Sequence, residues 1–146
     1  MRVICDTGPL VSAADASARD HWLAAAMVND LGRALLVPDP VVAEADYLLR
    51  RRVGSDSARL FLSALDRGEH RLMFLTPGLF RRATEIDAQY VDLNLGFADA
   101  AVMACAERHN LPILTFDFRD FRATAPDSGS WRLVVDESTY RKATSR

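Results

Sequence analysis

Four acidic residues lie inside or at the end of apolar stretches that predict buried structure: Asp6, Glu44, Asp99 and Asp117. A buried carboxylate is costly unless it is paired with a cation or bound to a metal ion. Several of them in one small protein therefore suggest a metal site. Because all four offer only oxygen ligands, the ion that they suggest is Mg²⁺ or Mn²⁺.

Each of these acids also has a purely structural interpretation. Asp6 and Asp117 can form turns after strands, Asp99 can stabilise the first turn of a helix, and Glu44 can reach water from the edge of an apolar stripe. Two unit charges about 4 Å apart repel each other by about 4 kcal/mol at an effective dielectric constant of about 20. A cluster of carboxylates therefore needs a cation or takes up protons, and the occurrence of all four together favours the metal site.

The position of Glu44 on its predicted helix supports an inward-facing carboxylate. At about 100° per residue, Glu44 shares a side with Val41, Ala45 and Leu48, whereas Asp46 faces away from them. One of the two carboxylates in this stretch thus points toward the core, although the apolar pattern does not require it.

Length and composition are those of an ordinary globular protein. The chain has 146 residues, of which 49% are hydrophobic and 26% charged, with a formal net charge of −2. We expect one domain over residues 1–146, no membrane span, no signal segment and a cytoplasmic location. The cysteines Cys5 and Cys105 lie in apolar surroundings, so we expect both to be reduced core residues.

Positive charge comes almost entirely from arginine, since Lys142 is the only lysine. The guanidinium group suits bidentate contact with phosphate. The arginine clusters at residues 50–52, 81–82 and 141–146 are also typical of helix C-termini and solvated faces. Arg119 and Arg122 lie nearest to a candidate site residue in the sequence, and we expect these two to contact phosphate.

Five short apolar runs predict strands, at residues 2–6, 34–37, 71–75, 112–116 and 131–135. Helices are predicted between them, at residues 13–16, 19–31, 40–53, 55–67, 77–90 and 97–109. This alternation predicts a mainly parallel sheet of about five strands with helices on both faces. Ligands of such sheets bind beyond the carboxyl ends of the strands, where Asp6 and Asp117 fall.

Three further side chains are candidates for supporting the site. Thr7 or Thr115 could hydrogen-bond a ligand carboxylate or a phosphate. Asp92, in the predicted loop at residues 91–95, could contribute through a water molecule.

Four segments carry a resemblance to a known family. They are Val3-Ile-Cys-Asp-Thr-Gly-Pro-Leu10, Val41-Val-Ala-Glu-Ala-Asp-Tyr47, Tyr90-Val-Asp-Leu-Asn-Leu-Gly-Phe-Ala-Asp-Ala-Ala101 and Leu114-Thr-Phe-Asp-Phe-Arg-Asp-Phe121. In this order and at these separations they resemble the PIN-domain ribonucleases, and especially the VapC-type toxins of bacterial toxin–antitoxin pairs. The resemblance covers residues 2–136. It implies a three-layer α/β/α sandwich around a parallel sheet.

The resemblance also implies an activity and partners. It implies an endoribonuclease dependent on Mg²⁺ or Mn²⁺ that hydrolyses RNA phosphodiesters with a metal-activated water. It further implies a homodimer that is inhibited by a small cognate VapB-type antitoxin. The apolar side of residues 41–65 is a candidate groove for that antitoxin or for the second copy of the chain.

Carried over by position, the family's acidic quartet is Asp6, Glu44, Asp99 and Asp117. Asp6 and Asp99 would be the firmest metal ligands, and the other two would complete the shell or hold a second ion and the attacking water. Thr115 matches the small hydroxyl residue before the fourth acid. The chain departs from the family pattern at Gly8, Phe116 and Phe118, which leaves the acids in place.

Functions other than a toxin nuclease fit the sequence to different degrees. A non-catalytic RNA- or protein-binding module would have the same fold, and a housekeeping RNA-processing nuclease would have the same acids. Phosphoryl transfer through Asp6 fits poorly, because Gly8 stands where haloacid-dehalogenase-like enzymes have a second Asp. Receiver domains need a lysine after a late strand, and Lys142 lies in the tail.

Overall fold

The computed structural model describes residues 1–145, so the last residue of the predicted domain 1–146 lies outside the described part. The strands are β1 (Val3–Cys5), β2 (Leu35–Pro38), β3 (Arg71–Met73) and β4 (Ile113–Leu114). The helices are α1 (Thr7–Ala14), α2 (His21–Leu31), α3 (Asp39–Arg52), α4 (Ser55–Asp66), α5 (Pro77–Gln89), α6 (Phe97–His109), α7 (Phe118–Ala123) and α8 (Glu137–Thr144). Single 3₁₀ turns occur at Gly32–Ala34 and Val91–Leu93. None of the helices in residues 1–145 has the length and apolar character of a membrane span.

The strands form one parallel sheet in the order β3-β2-β1-β4. β1 occupies a central position, with Ile4 opposite Leu36 of β2 on one side and opposite Ile113 of β4 on the other. Its three residues are fully buried, as expected for a strand that is covered on both faces. The predicted α/β/α sandwich with a parallel sheet is confirmed, with four strands in the described residues instead of about five.

The fifth predicted strand, at residues 131–135, forms only an isolated parallel bridge. Leu133 is the bridge partner of Ile113, whose N–H donates to Arg132 and whose carbonyl accepts from Val134. The ladder cannot lengthen, because β4 has two residues and Pro112 before it has no N–H to donate. After the bridge, Asp136 caps α8, which the sequence pattern did not predict.

Two segments that were predicted to be turns begin helices. The predicted stop at residues 7–9 does end β1, but α1 starts at Thr7, with Asp6 as its N-cap, and not at residue 13. Pro9 is compatible with this because the first turn of a helix has no internal N–H bonds to lose. Likewise, Asp117 does not form an isolated turn, because it caps the short helix α7. Both acids therefore stand between a strand and a helix.

Helix α6 is the central buried helix, as its nearly uniform apolar sequence predicted. Eight of its residues are buried: Ala98, Ala100, Ala101, Val102, Met103, Ala104, Cys105 and Ala106. The alanines allow neighbouring elements to approach the helix closely, and Gly96 precedes it with φ +87°, a conformation that side chains disfavour. Cys5 and Cys105 are both buried and form no disulfide, which confirms the prediction of core thiols. Asp99 is thus carried by a helix with little freedom to move.

We expect Ala104→Leu to lower the free energy of unfolding by about 1–3 kcal/mol, because extra methyl groups do not fit a filled core. Ala104 is fully buried on α6. The matched control is Ala88→Leu on α5, where the side chain is exposed and a change within about 0.5 kcal/mol is expected. Urea denaturation measures both values, and equal stability of the two variants would contradict the tight packing of α6.

Candidate active site

Asp6 lies where β1 ends, and its hydrogen bonds fix it against β4. Its backbone N–H donates to the carbonyl of Leu114 at 2.9 Å. Its carboxylate accepts from the backbone N–H of Thr7 at 2.8 Å through Oδ1 and from the Thr115 hydroxyl at 2.7 Å through Oδ2. The side chain is almost completely buried. Both carboxylate oxygens are therefore oriented by donors that favour the ionised form.

The Thr115 hydroxyl links the ends of β1 and β4. Its oxygen accepts from the backbone N–H of Asp117 at 3.0 Å while it donates to Asp6. A hydroxyl has one proton, so that proton is directed at Asp6 when the oxygen accepts from Asp117. Thr115 is fully buried, which protects this geometry from water.

Asp99, Asp117 and Asp120 come together at the same place. Each offers a carboxylate oxygen, and these oxygens all lie within 4.8 Å of one another. Asp117 Oδ1 also accepts from the backbone N–H of Asp120 at 3.1 Å, as an N-cap of α7. Asp120 was not among the predicted ligands, although an acid three residues after a capping Asp is a recognisable helix-start signal.

The environment of Asp6 raises its pKa from the ordinary value. Burial is the largest cause, and repulsion from Asp117 and Glu44 adds to it. The hydrogen bonds from Thr115 and Thr7 oppose the shift, and the resulting pKa of Asp6 is about 6.

Asp99 has the more strongly raised pKa of the two. Burial is again the largest cause, followed by repulsion from the carboxylates of Asp6, Glu44, Asp117 and Asp120, and together they raise the pKa of Asp99 to about 8. The four predicted acids and Asp120 thus act on one another as a single electrostatic cluster. A divalent cation would remove the cause of this repulsion.

Glu44 enters the cluster from α3. The buried residues of this helix are Val41, Ala45 and Leu49, and Glu44 is half-buried beside them. Asp46 takes the other side of the helix, where Arg50 binds it with a 3.0 Å contact. The predicted difference between the two carboxylates is therefore observed, with Glu44 at the flank of the core.

The supporting residues differ in their surroundings. Thr7 has a buried Oγ1 that finds no hydrogen-bond partner within residues 1–145. Asp92 is exposed in the 3₁₀ turn Val91–Leu93 and is not among the carboxylates that raise the pKa of Asp99. An unsatisfied buried hydroxyl next to Asp6 suggests a polar atom or a water that belongs to the functional state.

The two arginines that were expected to contact phosphate also differ. Arg119 is exposed beside the cluster, and its charge opposes the burial and the contact with Asp117 that raise the pKa of Asp120. Arg122 is bound to Glu137, which also accepts from Arg141 at 2.8 Å. Arg119 is therefore the better placed of the two for a phosphate.

The donor set of the cluster fits a hard divalent cation. Its side chains present carboxylate oxygens, and neither sulfur nor imidazole takes part in the trio that converges within 4.8 Å. Oxygen ligands and a partly exposed position favour Mg²⁺ or Mn²⁺ over Zn²⁺. Asp99, Asp117 and Asp120 could hold such an ion, with Asp6 and Glu44 close enough to share its charge.

Comparison with known proteins gives a consistent result for most of the chain. The family model described as the PIN domain matches residues 3–126. A curated relative, ribonuclease VapC26 of Mycobacterium tuberculosis, is 36% identical over 134 residues, which cover 91% of this chain and 99% of the relative.

Solved structures share the fold. The crystal structure of VapC20 of Mycobacterium tuberculosis, described as a toxin that cleaves the sarcin–ricin loop, matches with a TM-score of 0.72 at 20% identity, covering 81% of this chain and 93% of VapC20. The structure of VapBC2 of Rickettsia felis bound to a promoter DNA fragment matches with a TM-score of 0.61 at 14% identity, covering 84% of this chain and 92% of that one.

We expect the metal-free protein to lose stability as the pH rises toward about 8. The raised pKa values of Asp6 and Asp99, about 6 and about 8, mean that the folded state binds protons more tightly than the unfolded state. The stability linked to these protons is fully present below the ordinary pKa of 3.8 and is lost as the pH passes the folded values. Thermal unfolding of wild type and Asp99→Asn, measured with a chelator across this range, tests the expectation.

The difference in thermal midpoint between Asp99→Asn and wild type should grow in favour of the variant as the pH rises. Added Mn²⁺ should stabilise the wild type most at the upper end of the range, where protons compete least with the ion. Midpoints that stay parallel across the range, or metal stabilisation that is equal in the two proteins, would contradict an electrostatically coupled cluster.

Proposed function

This chain belongs to the PIN-domain family, and we propose that its acidic cluster makes it a Mg²⁺- or Mn²⁺-dependent endoribonuclease that acts as a VapC-type toxin. The observation that carries the proposal is the convergence of Asp99, Asp117 and Asp120 within 4.8 Å, beside Asp6 and Glu44, whose charges raise the pKa of Asp99. The pKa values of Asp6 and Asp99 are raised there by burial and by the other carboxylates. The relative VapC26, a ribonuclease by name, covers 91% of the chain and supports the assignment.

The acids divide into ligands and supporting groups. We assign Asp99 and Asp117 as ligands, together with Asp120 from the converging trio, and Asp6 as a ligand held in place by Thr115. When it is bound, the divalent ion supplies Lewis acidity, lowers the pKa of water and neutralises the charge that develops on the phosphate. Asp99 would hold such an ion in its deprotonated form, because an ion and a proton compete for the same carboxylate oxygens.

The remaining acid, Glu44, is suited to orienting and deprotonating the attacking water. Glu44 reaches the cluster from the flank of α3 and is only half-buried, so water has access to it. In our proposal it orients the water and accepts its proton while the new oxygen–phosphorus bond forms and the bond to the leaving oxygen breaks. Arg119, exposed next to the cluster, would hold a phosphate of the strand.

For the partners, we propose RNA as substrate, a VapB-type antitoxin as inhibitor and a homodimer as the assembled form. VapC20, which shares the fold, is described as cleaving the sarcin–ricin loop, so a structured ribosomal RNA is the first substrate to test. The predicted groove at residues 41–65 exposes Val53 and Leu60. These apolar side chains are available to a partner helix.

Purified protein should cut total cellular RNA into discrete fragments with Mg²⁺ or Mn²⁺ and should be inactive with a chelator. We expect Asp99→Asn and Asp6→Asn to lower the cleavage rate by at least about 100-fold, because even the loss of a supporting partner of a metal ligand costs about 10–100-fold. The matched control is Asp66→Asn, an exposed position at the end of α4, which should cleave like the wild type.

Folding of each variant is checked by its thermal midpoint and circular dichroism. If the folded wild type, freed of any antitoxin, cleaves neither cellular RNA nor isolated ribosomal RNA with either metal, the nuclease assignment is wrong. The non-catalytic binding module would then be the better description.

Thr115→Val should lower the cleavage rate by about 10–100-fold, because it removes the proton donor that orients Asp6. Thr115→Ser keeps the hydroxyl that donates to Asp6 at 2.7 Å and should retain most of the activity. Rates of the two variants at saturating Mn²⁺ provide the comparison, and activity that is kept in Thr115→Val but lost in Thr115→Ser would show that the methyl group, and not the hydroxyl, matters.

A further inference from the structure

One side of α3 leads away from the acidic cluster as a row of three side chains: Glu44, Tyr47 and Arg51. At about 100° and 1.5 Å per residue, Tyr47 lies about 60° from Glu44 around the helix and about 4.5 Å along it. Arg51 lies about 20° from Glu44 and about 10.5 Å along the axis. Glu44 is close enough to raise the pKa of Asp99. Burial is the largest cause of that shift, repulsion from Asp6 comes next, and repulsion from Glu44 follows. The row therefore begins at the candidate active site.

Tyr47 and Arg51 form a preorganised pair. The Arg51 Nη1 donates to the Tyr47 hydroxyl at 2.8 Å, and the guanidinium carbon is 5.6 Å from the ring centroid. The guanidinium therefore lies over the ring while it is hydrogen-bonded to the hydroxyl. Tyr47 is 55% exposed, so part of its ring remains accessible to another planar group.

The charge of Arg51 is not compensated by a neighbouring carboxylate. Arg50, the preceding residue, is held by both oxygens of Asp46 on another side of the helix. Within residues 1–145, Arg51 forms no ion pair with a carboxylate. Its guanidinium donates a hydrogen bond to the Tyr47 hydroxyl. Its remaining N–H groups are available to an anion such as a phosphate.

We propose that Tyr47 and Arg51 position the RNA substrate beside the cleavage site, with a base stacked on the Tyr47 ring and a phosphate bound by Arg51. This inference rests on the proposed nuclease function and adds two positioning residues to it. An RNA strand fits the pair better than a protein does. A nucleotide offers a flat base and an anionic phosphate together, and the row continues directly from the catalytic acids.

The first test separates binding from chemistry. For a short RNA that carries the mapped cleavage site, Tyr47→Leu and Arg51→Gln should raise KM by about 5- to 50-fold and change kcat by less than about 3-fold, as expected for loss of a stacked base or a phosphate contact. Tyr47→Phe keeps the ring and should restore a KM within about 3-fold of wild type. The matched control is Arg50→Gln on the same helix, whose arginine is already paired with Asp46, and its KM should remain close to that of wild type.

Two further measurements assign each residue to its part of the nucleotide. In Arg51→Gln, the slope of log KM against log salt should decrease by about 0.7, the value for one phosphate contact on a single strand. An RNA with one abasic nucleotide, placed in turn at each position around the cleavage site, should raise KM for wild type at one position. At that position it should have no further effect on Tyr47→Leu, because the stacked base has already been lost.

The outcomes distinguish the two levels of the proposal. If wild type does not cleave RNA, the proposed function fails, and direct binding of an uncleaved RNA oligonucleotide, measured by fluorescence anisotropy, then tests the pair by itself. If wild type cleaves RNA and both variants keep its KM and salt slope, the positioning role is wrong. If Tyr47→Leu instead lowers the molecular mass measured by light scattering together with activity, the surface is a contact between copies of the chain, and the stacking role is overturned.

Discussion

The rest of the site depends on the repulsion between carboxylates that the fold holds together. Asp99 has a pKa of about 8, because burial and then the other acids of the cluster disfavour its charged form. Such an arrangement opposes folding at neutral pH unless protons or a cation balance it. A divalent ion at the proposed site would relieve this repulsion, so metal affinity and metal-free stability would be linked through the same side chains.

The apolar core keeps the acids from relaxing apart. Asp6 and Asp117 follow strands that are hydrogen-bonded to each other, and Thr115 joins them through one hydroxyl. Asp99 is carried by α6, whose small buried side chains allow close packing on all sides. Close-packed interiors do not yield by the ångström or more that separation of these charges would need. Rigidity of β1, β4 and α6 is thus a condition for the chemistry of the cluster.

Features set by repeating patterns were predictable from the sequence, and features set by single hydrogen bonds were not. The nearly uniform apolar run at residues 97–109 predicted α6 with its exact bounds, and the strand–helix alternation predicted the parallel sheet. The helix start at Thr7 was missed, because a Thr-Gly-Pro segment resembles a turn until the capping bond of Asp6 is known. Asp120 was missed as a member of the trio because its approach to Asp99 joins elements distant in sequence. The prediction of a fifth strand at residues 131–135 was wrong, because its partner β4 has only two residues and offers too short an edge.

The acidic cluster that we propose as the catalytic site repels RNA, because RNA carries one negative charge per nucleotide. The net charge of −2 provides no general attraction for RNA, so local cations must guide the strand to the metal. Arg50 is paired with Asp46 and Arg122 with Glu137, whereas Arg119 is exposed beside the cluster. Arg51 is hydrogen-bonded to a neutral tyrosine and keeps its full charge, at about two helical turns from Glu44. At this distance Arg51 keeps its attraction for phosphate without neutralising the cluster that we propose as the metal site.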